Sequence, residues 1–430
     1  MEMDNVAKFL QGKTIFVTGA TGFLAKVLVE KILRLQPDVN KLYLLLRASD
    51  EKSATQRLYN EIISSELFRI LRNHWDLKFD HLISSKVIAV AGDVSSENLG
   101  VRDSNLREKM WNEIEMIVNA AATTDFNERY DVALNINTFG ASNVLNFGKK
   151  CDNIKLLLHI STAYVCDEQT GMIFEKQRDT INIFEERRIV EEQLNQLQNY
   201  FASDKTITSS MKELGQERAK LNGWPNTYVF TKAMGEMLLG NFKGDLPLVI
   251  IRPTMVTSTY KHPFPGWIEG VRTLDSVIVS YGKGKLTFFL GNLNSALDVI
   301  PVDMVVNAMV VSMQVHYADL QCSRETIYHV SSLFRNPMKV SDLRKFVHCY
   351  FTKNPWIDTN GKIVKVGKGT VFSTPNSFDD QNLEKLQRVA EERGIHVAEL
   401  NFDSKSIDWE DYIMNIHIPG LLQHGINLKY

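Results

Sequence analysis

The chain has 430 residues, 44% of them hydrophobic and 23% charged, with a formal net charge of −2. That length predicts one large domain plus a smaller one, and that charge gives nucleic acid no basic face to bind. The four cysteines (Cys151, Cys166, Cys322, Cys349) form no Cys-x-x-Cys pair, which argues against a metal site and for a reducing compartment. The acidic start, Met1-Glu2-Met3-Asp4-Asn5, lacks the apolar core of a secretory signal, and no run of eighteen apolar residues is present to span a bilayer. An intracellular enzyme, free or bound to a membrane surface from outside, is expected.

In chain order, short apolar runs alternate with longer amphipathic ones, the pattern of a parallel sheet covered by helices. Strands are predicted at Thr14 to Thr18, Lys41 to Leu46, Val87 to Ala91, Met116 to Asn119, Leu156 to Ile160 and Leu248 to Ile251. The first helix is predicted from Phe23 to Leu35. A charged segment, Phe174 to Leu221, reads as a helical insertion; an apolar, aromatic region from His262 to Leu290 suits an apolar substrate or core packing. Helices at Val340 to Phe351 and Leu383 to Arg393, after a junction near Asn336-Pro337, predict a small C-terminal helical domain. The expected fold is thus an α/β doubly wound parallel sheet over residues 1–335, with insertions at about 168–222 and 256–297, followed by 336–430.

The chemistry lies at the carboxyl ends of these strands. In Thr18-Gly19-Ala20-Thr21-Gly22-Phe23-Leu24-Ala25, the first glycine permits a tight turn and the second lets backbone approach a pyrophosphate, while Ala25 lets helix and strand pack closely. Strand two ends in Arg47 where a carboxylate would select NAD; an arginine suits a 2′-phosphate, so NADPH is the expected cofactor. Asp93 and Val94 follow strand three, placed for the adenine. Asn119, Ala120 and Ala121 follow strand four, placed for ribose and nicotinamide. Arg252 and Pro253 end strand six, where backbone could meet the nicotinamide amide.

Tyr228 and Lys232, four apart on one helix face, form a proton donor and an ammonium that should lower its pKa. Ser161 and Thr162 end strand five, and either hydroxyl can orient a carbonyl against the tyrosine. Asn137 could anchor a relay water or cap a helix. Cys166 invites a covalent thioester mechanism, but no base is evident near it in sequence, and hydride can attack a thioester directly.

These motifs, in this order, resemble the extended short-chain dehydrogenase/reductases, and more narrowly the plant-type alcohol-forming fatty acyl-CoA reductases. The narrower likeness rests on Ser161-Thr162-Ala163-Tyr164-Val165-Cys166, Gly223-Trp224-Pro225-Asn226-Thr227-Tyr228-Val229-Phe230-Thr231-Lys232, Pro265-Gly266-Trp267-Ile268-Glu269-Gly270 and Asp298-Val299-Ile300-Pro301-Val302-Asp303. Trp409-Glu410-Asp411-Tyr412 and His417-Ile418-Pro419-Gly420 extend it to the C-terminal end. The resemblance implies reduction of long-chain acyl-CoA by NADPH to a primary alcohol through an aldehyde, for waxes or other surface lipids. It also implies peripheral work at a membrane such as the cytosolic face of the endoplasmic reticulum, and is compatible with a homo-oligomer. By the same resemblance Tyr228 and Lys232 are catalytic, Thr162 is favoured over Ser161, and Gly19, Gly22 and Arg47 hold the cofactor.

Two departures stand out. Asp167 replaces the family's small glycine, and Phe372 to Phe378 runs directly into Asp379-Asp380-Gln381, where relatives carry several tens of further apolar, helical residues. The shortened join leaves a second reading, a reductase fold kept as a weakly active lipid- or partner-binding protein. A third is a reductase of another carbonyl.

Overall fold

The computed structural model describes residues 5–165, 172–173, 181–286, 293–318, 325–367, 377–378, 381–395 and 400–426. Cys166 and Asp167 lie outside them.

The elements that position the site are β1 (Thr14–Thr18), α1 (Phe23–Leu35), β2 (Lys41–Leu46), β3 (Val87–Ala91), β4 (Met116–Asn119), α2 (Gly140–Gly148) and β5 (Leu156–Ile160). After them come α3 (Ile183–Asn199), α4 (Asp204–Leu221), α5 (Thr227–Phe242), β6 (Leu248–Pro253) and α6 (Thr273–Gly282). The chain then adds α7 (Val302–Ala318), β7 (Glu325–Val330), α8 (Val340–Lys353) and α9 (Gln381–Glu392). The seven strands pair in the order β7-β6-β5-β4-β1-β2-β3, all parallel. Strand order reverses between β1 and β4, which is where this architecture opens a ligand crevice.

Strands buried on both faces need apolar residues at every position, and the sequence supplies them. Val17, Leu44, Val118 and Leu158 pack into one core with α1 and α7. Phe16, Tyr43, Ile117 and Leu157 face the opposite core with α2. Pleat alternation therefore assigns each strand residue to one layer or the other.

The six predicted strands are all present, with β6 running two residues further, to Pro253. β7 was not predicted. Its sequence, Glu325-Thr326-Ile327-Tyr328-His329-Val330, carries too much polarity to read as a buried strand, and it is held by pairing with β6 along its whole length. The charged insertion forms the antiparallel pair α3 and α4, joined by Arg218 to Glu186 at 2.5 Å, with Tyr130 donating to the same carboxylate at 2.7 Å.

Among the described residues, the C-terminal part shares the core of the sheet. Phe402, Trp409, Tyr412, Ile413 and Leu421 belong to the same buried cluster as Val17 and Leu44. At the shortened join, Ser377–Phe378 pairs in parallel with Met172–Ile173. Among the described residues no helix is long and apolar enough to cross a membrane.

Candidate active site

The glycine turn sits at the crevice. Gly19 has φ +67°, open to glycine at no steric cost, and a Cβ there would lie 2.6 Å from the Ala121 nitrogen. The turn is therefore pressed against the backbone leaving β4, and the N-terminus of α1 opens on a cleft of about 470 Å³. That cleft is lined by Gly19, Thr21, Gly22, Arg47, Asp93, Val94, Ala120 and Ala121, among others. A second cleft of about 630 Å³ adjoins it and shares Arg47 and Asp93. Arg57, which sequence reasoning missed, also lines the first cleft and donates to the Arg47 carbonyl at 2.6 Å. A glycine cradle, a helix N-terminus and Arg47 directly after β2 fit a phosphorylated dinucleotide, with Arg57, itself paired with Glu61, bracing the Arg47 backbone.

Some residues expected at the cofactor face elsewhere. Phe23 is buried with its ring 5.4 Å from that of Trp267, and Leu24 packs against the core, so their contribution there is backbone. The Thr18 hydroxyl donates to Asn119 Oδ1 at 2.7 Å, tying β1 to β4. The Arg252 guanidinium is buried, donates to Glu236 at 2.5 Å and meets His329 Nε2 at 3.2 Å, so its side chain is engaged in the core and only its backbone is left for a cofactor. A charge so placed must be neutralised by a partner within the core, which is what Glu236 does.

The tyrosine helix is locally over-determined. Gly223, at φ +85°, turns the chain out of α4; Trp224 Nε1 donates to the Val165 carbonyl at 2.8 Å; and Asn226 caps α5 by accepting from the Val229 nitrogen at 3.0 Å. Gly223, Trp224 and Asn226 thus serve to place the phenol. Phe126, exposed and invisible as a site residue in the sequence, lays its ring 5.9 Å from that of Tyr228.

Lys232 lies one turn on and is buried. Its Nζ donates to the Ile160 carbonyl at 2.6 Å, directly before the strand-end hydroxyls. Ser161 and Thr162 are both buried; the Ser161 Oγ has no hydrogen-bond partner among the described residues, whereas Thr162 Oγ1 accepts from the Tyr164 nitrogen at 3.4 Å. Asn137 does not cap a helix. It lies within a π-helical turn, Leu134–Phe139, and braces the β4 loop to α5 through Thr123 O at 3.1 Å and Thr231 Oγ1 at 3.0 Å.

Electrostatics at the pair run opposite to the sequence expectation for Tyr228. Burial pushes its phenol up to about 12 rather than down, because the anion would be desolvated. Burial likewise lowers Lys232 to about 8, with Glu236 acting against that shift. At neutral pH the phenol carries its proton and can donate it.

The chain matches the NAD-binding family model described as male sterility protein over residues 17–309. It is 47% identical to a probable fatty acyl-CoA reductase 4 of Arabidopsis thaliana, covering 98% of this chain and 99% of that protein. It is 44% identical to the alcohol-forming fatty acyl-CoA reductase of Simmondsia chinensis, over 99% and 100% of the two chains. That alignment runs 492 positions against a chain of 430, so the relative carries residues with no counterpart here. Among solved structures, the reductase domain of a non-ribosomal peptide synthetase from Mycobacterium tuberculosis matches with a TM-score of 0.59 at 17% identity, covering 98% of this chain and 96% of that one. Fold and site define an extended short-chain dehydrogenase/reductase with an NAD(P)-binding domain. Within that class the chain belongs to the plant-type alcohol-forming fatty acyl-CoA reductases.

Proposed function

We propose that the protein reduces long-chain fatty acyl-CoA with NADPH to a primary fatty alcohol, holding the aldehyde between two hydride transfers. The observation that carries this is the capped helix bearing Tyr228 and Lys232, whose lysine bonds the Ile160 carbonyl directly before Ser161-Thr162; the glycine-turn cleft supports the dinucleotide. The bound nicotinamide supplies hydride. Ser161 or Thr162 orients the thioester carbonyl, and Tyr228 delivers its proton to the oxygen as negative charge develops there. The resulting hemithioacetal expels CoA as the thiol, and the aldehyde left behind is reduced on the same groups. Lys232 holds the cofactor ribose and keeps a positive charge beside the phenol.

NADPH rather than NADH is supported by Arg47, directly after β2, where the NAD-selecting carboxylate of this fold would stand. Peripheral work at a membrane surface is supported by Tyr200 and Phe201, the almost fully exposed aromatics at the α3–α4 tip. The residues that the relatives carry and this chain lacks fit the shortened join near Phe378.

The test is to incubate purified protein with NADPH and a panel of acyl-CoAs and to analyse the lipid products. Fatty alcohol that disappears in Tyr228→Phe upholds the reading. Tight NADPH binding without turnover of any acyl-CoA would point instead to a reductase fold retained for lipid or partner binding.

A further inference from the structure

No step above uses His159. Its imidazole is fully buried and both ring nitrogens are engaged: Nδ1 lies 3.0 Å from the Asn119 amide nitrogen and Nε2 lies 3.2 Å from Lys232 Nζ. Asn119 meets Thr18 Oγ1 at 2.7 Å, and that oxygen accepts from the Ala121 nitrogen at 3.2 Å. Side chains from β1, β4, β5 and α5 thus make one buried polar chain from the glycine turn to the lysine. A histidine after Leu156-Leu157-Leu158 has no packing advantage over a fourth leucine, and burying it is tolerable because each polar atom has a partner.

We propose that His159 is a positioning residue for the reduction, a neutral imidazole that fixes both the seat and the proton affinity of Lys232. This rests on the reading that Lys232 serves the chemistry of Tyr228. Two polarities satisfy His159 and Lys232, the second at the cost of the Thr18 hydroxyl's bond to the Asn119 oxygen. With the Asn119 oxygen toward Thr18, His159 Nδ1 accepts from the amide, Nε2 bears the hydrogen, and Lys232 accepts it as a neutral amine. With the amide turned over, Nδ1–H donates to the Asn119 oxygen, and bare Nε2 accepts from the Lys232 ammonium, whose second hydrogen goes to Ile160 O. The two ends of an amide are nearly the same size, so the reversal displaces no neighbour. Burial holds the imidazole well below its ordinary pKa, reinforced by the lysine, so it stays neutral in both arrangements.

The ammonium arrangement is the stronger, since a hydrogen bond from a charged donor is worth more than a neutral one. Removing the imidazole therefore costs the cation more than the amine, and Lys232 releases its proton at lower pH. The charged and titratable groups packed around this point are Glu236 on α5, ion-paired with Arg252 on β6, then His329 on β7 against Arg252, and Tyr228 one turn before the lysine. β4 brings the uncharged Asn119.

The experiment measures kcat and kcat/KM from pH 6 to 9.5 for wild type, His159→Leu and His159→Gln, using NADPH and a saturated long-chain acyl-CoA. A glutamine amide reaches where Nε2 stands and can accept from the ammonium. In His159→Leu, kcat falls about tenfold or more and its alkaline limb moves down by roughly one pH unit. His159→Gln restores both to within about threefold, the remainder reflecting the lost Asn119 bond. Wild-type kcat and limb in His159→Leu overturn the proposal; so does a lowered kcat with an unmoved limb, or a glutamine as impaired as leucine. Should the leucine variant not fold, His159→Asn, which reaches Asn119 but not Lys232, takes its place. Tyr228→Phe and Lys232→Met run alongside. If those keep full turnover, the functional reading itself fails, whatever His159 does.

Discussion

Gly235 on α5 abuts the carbonyl oxygen of Asn137 so closely that any Cβ at that position would overlap it. The π-helical turn at Leu134–Phe139 swells toward α5 at this point, and Gly235 is the gap that receives it. Tyr228 and Lys232 ride on the same helix, so their distance from the β4 loop is set partly by an absent side chain. Gly235→Ala should cost about 1–3 kcal/mol of stability by overpacking. It should also lower kcat at least tenfold by moving the phenol, since small misplacements at a reacting centre are expensive. Urea unfolding and steady-state turnover check both; an unchanged kcat in a destabilised protein would separate the packing from the chemistry.

Tyr228→Phe removes the proton donor and little volume. Turnover should fall about 10²–10⁴-fold, the usual contribution of a positioned acid. NADPH affinity, measured by fluorescence titration, should stay within about twofold, because the phenol bonds the reacting oxygen and not the phosphates.

Arg47→Ala should raise the Kd for NADPH by about 10–100-fold, as expected for one charge-assisted phosphate contact, and leave that for NADH nearly unchanged. The NADPH preference should weaken in the same direction as salt is added. Equal losses for both cofactors would mean that Arg47 supports the loop rather than reading a 2′-phosphate.

The sequence made much of this legible. Six strands and the first helix were predictable because a two-face-buried strand is a continuous apolar run, and Val17, Val118 and Leu158 are such residues. Tyr228 and Lys232 were visible from their spacing. What stayed hidden depends on three-dimensional neighbours. Phe126 is remote in sequence from the ring it touches, Arg57 reaches the cleft from a separate helix, and the buried partner of the Arg252 side chain, Glu236, lies sixteen residues away on another element. The direction of the Tyr228 shift was also unreadable: spacing shows that a cation is near, and only burial shows how much solvent is gone.

Burial of Lys232 has a signature in stability as well as activity. Its pKa in the folded protein is lowered to about 8 from an ordinary 10.5. Between those values the unfolded chain binds more protons than the folded one, so stability rises as pH rises through that window. Below about 8 the penalty for the buried cation is fully present. Lys232→Met should lack this rise, which amounts to no more than about 3 kcal/mol. Denaturant midpoints at pH 7.5, 8.5 and 9.5 for both proteins test it, below the range in which Tyr228, raised from 10.0 to about 12, acts in the opposite sense. Parallel curves for wild type and variant would contradict the assignment.

Tyr412 donates to the Ser258 carbonyl at 2.8 Å, His417 Nδ1 lies 3.0 Å from Ser258 Oγ, and His417 Nε2 lies 3.1 Å from Asp275. Gly420 packs backbone to backbone on Gly266, leaving no room for a Cβ. These contacts insert the last described stretch of the chain beneath the loop after β6, in the cluster that also holds Val17. During synthesis, then, the strands can emerge and pair while the core stays open, waiting for a segment still inside the ribosome. A nascent chain paused before residue 412 would present its unfilled apolar floor to chaperones.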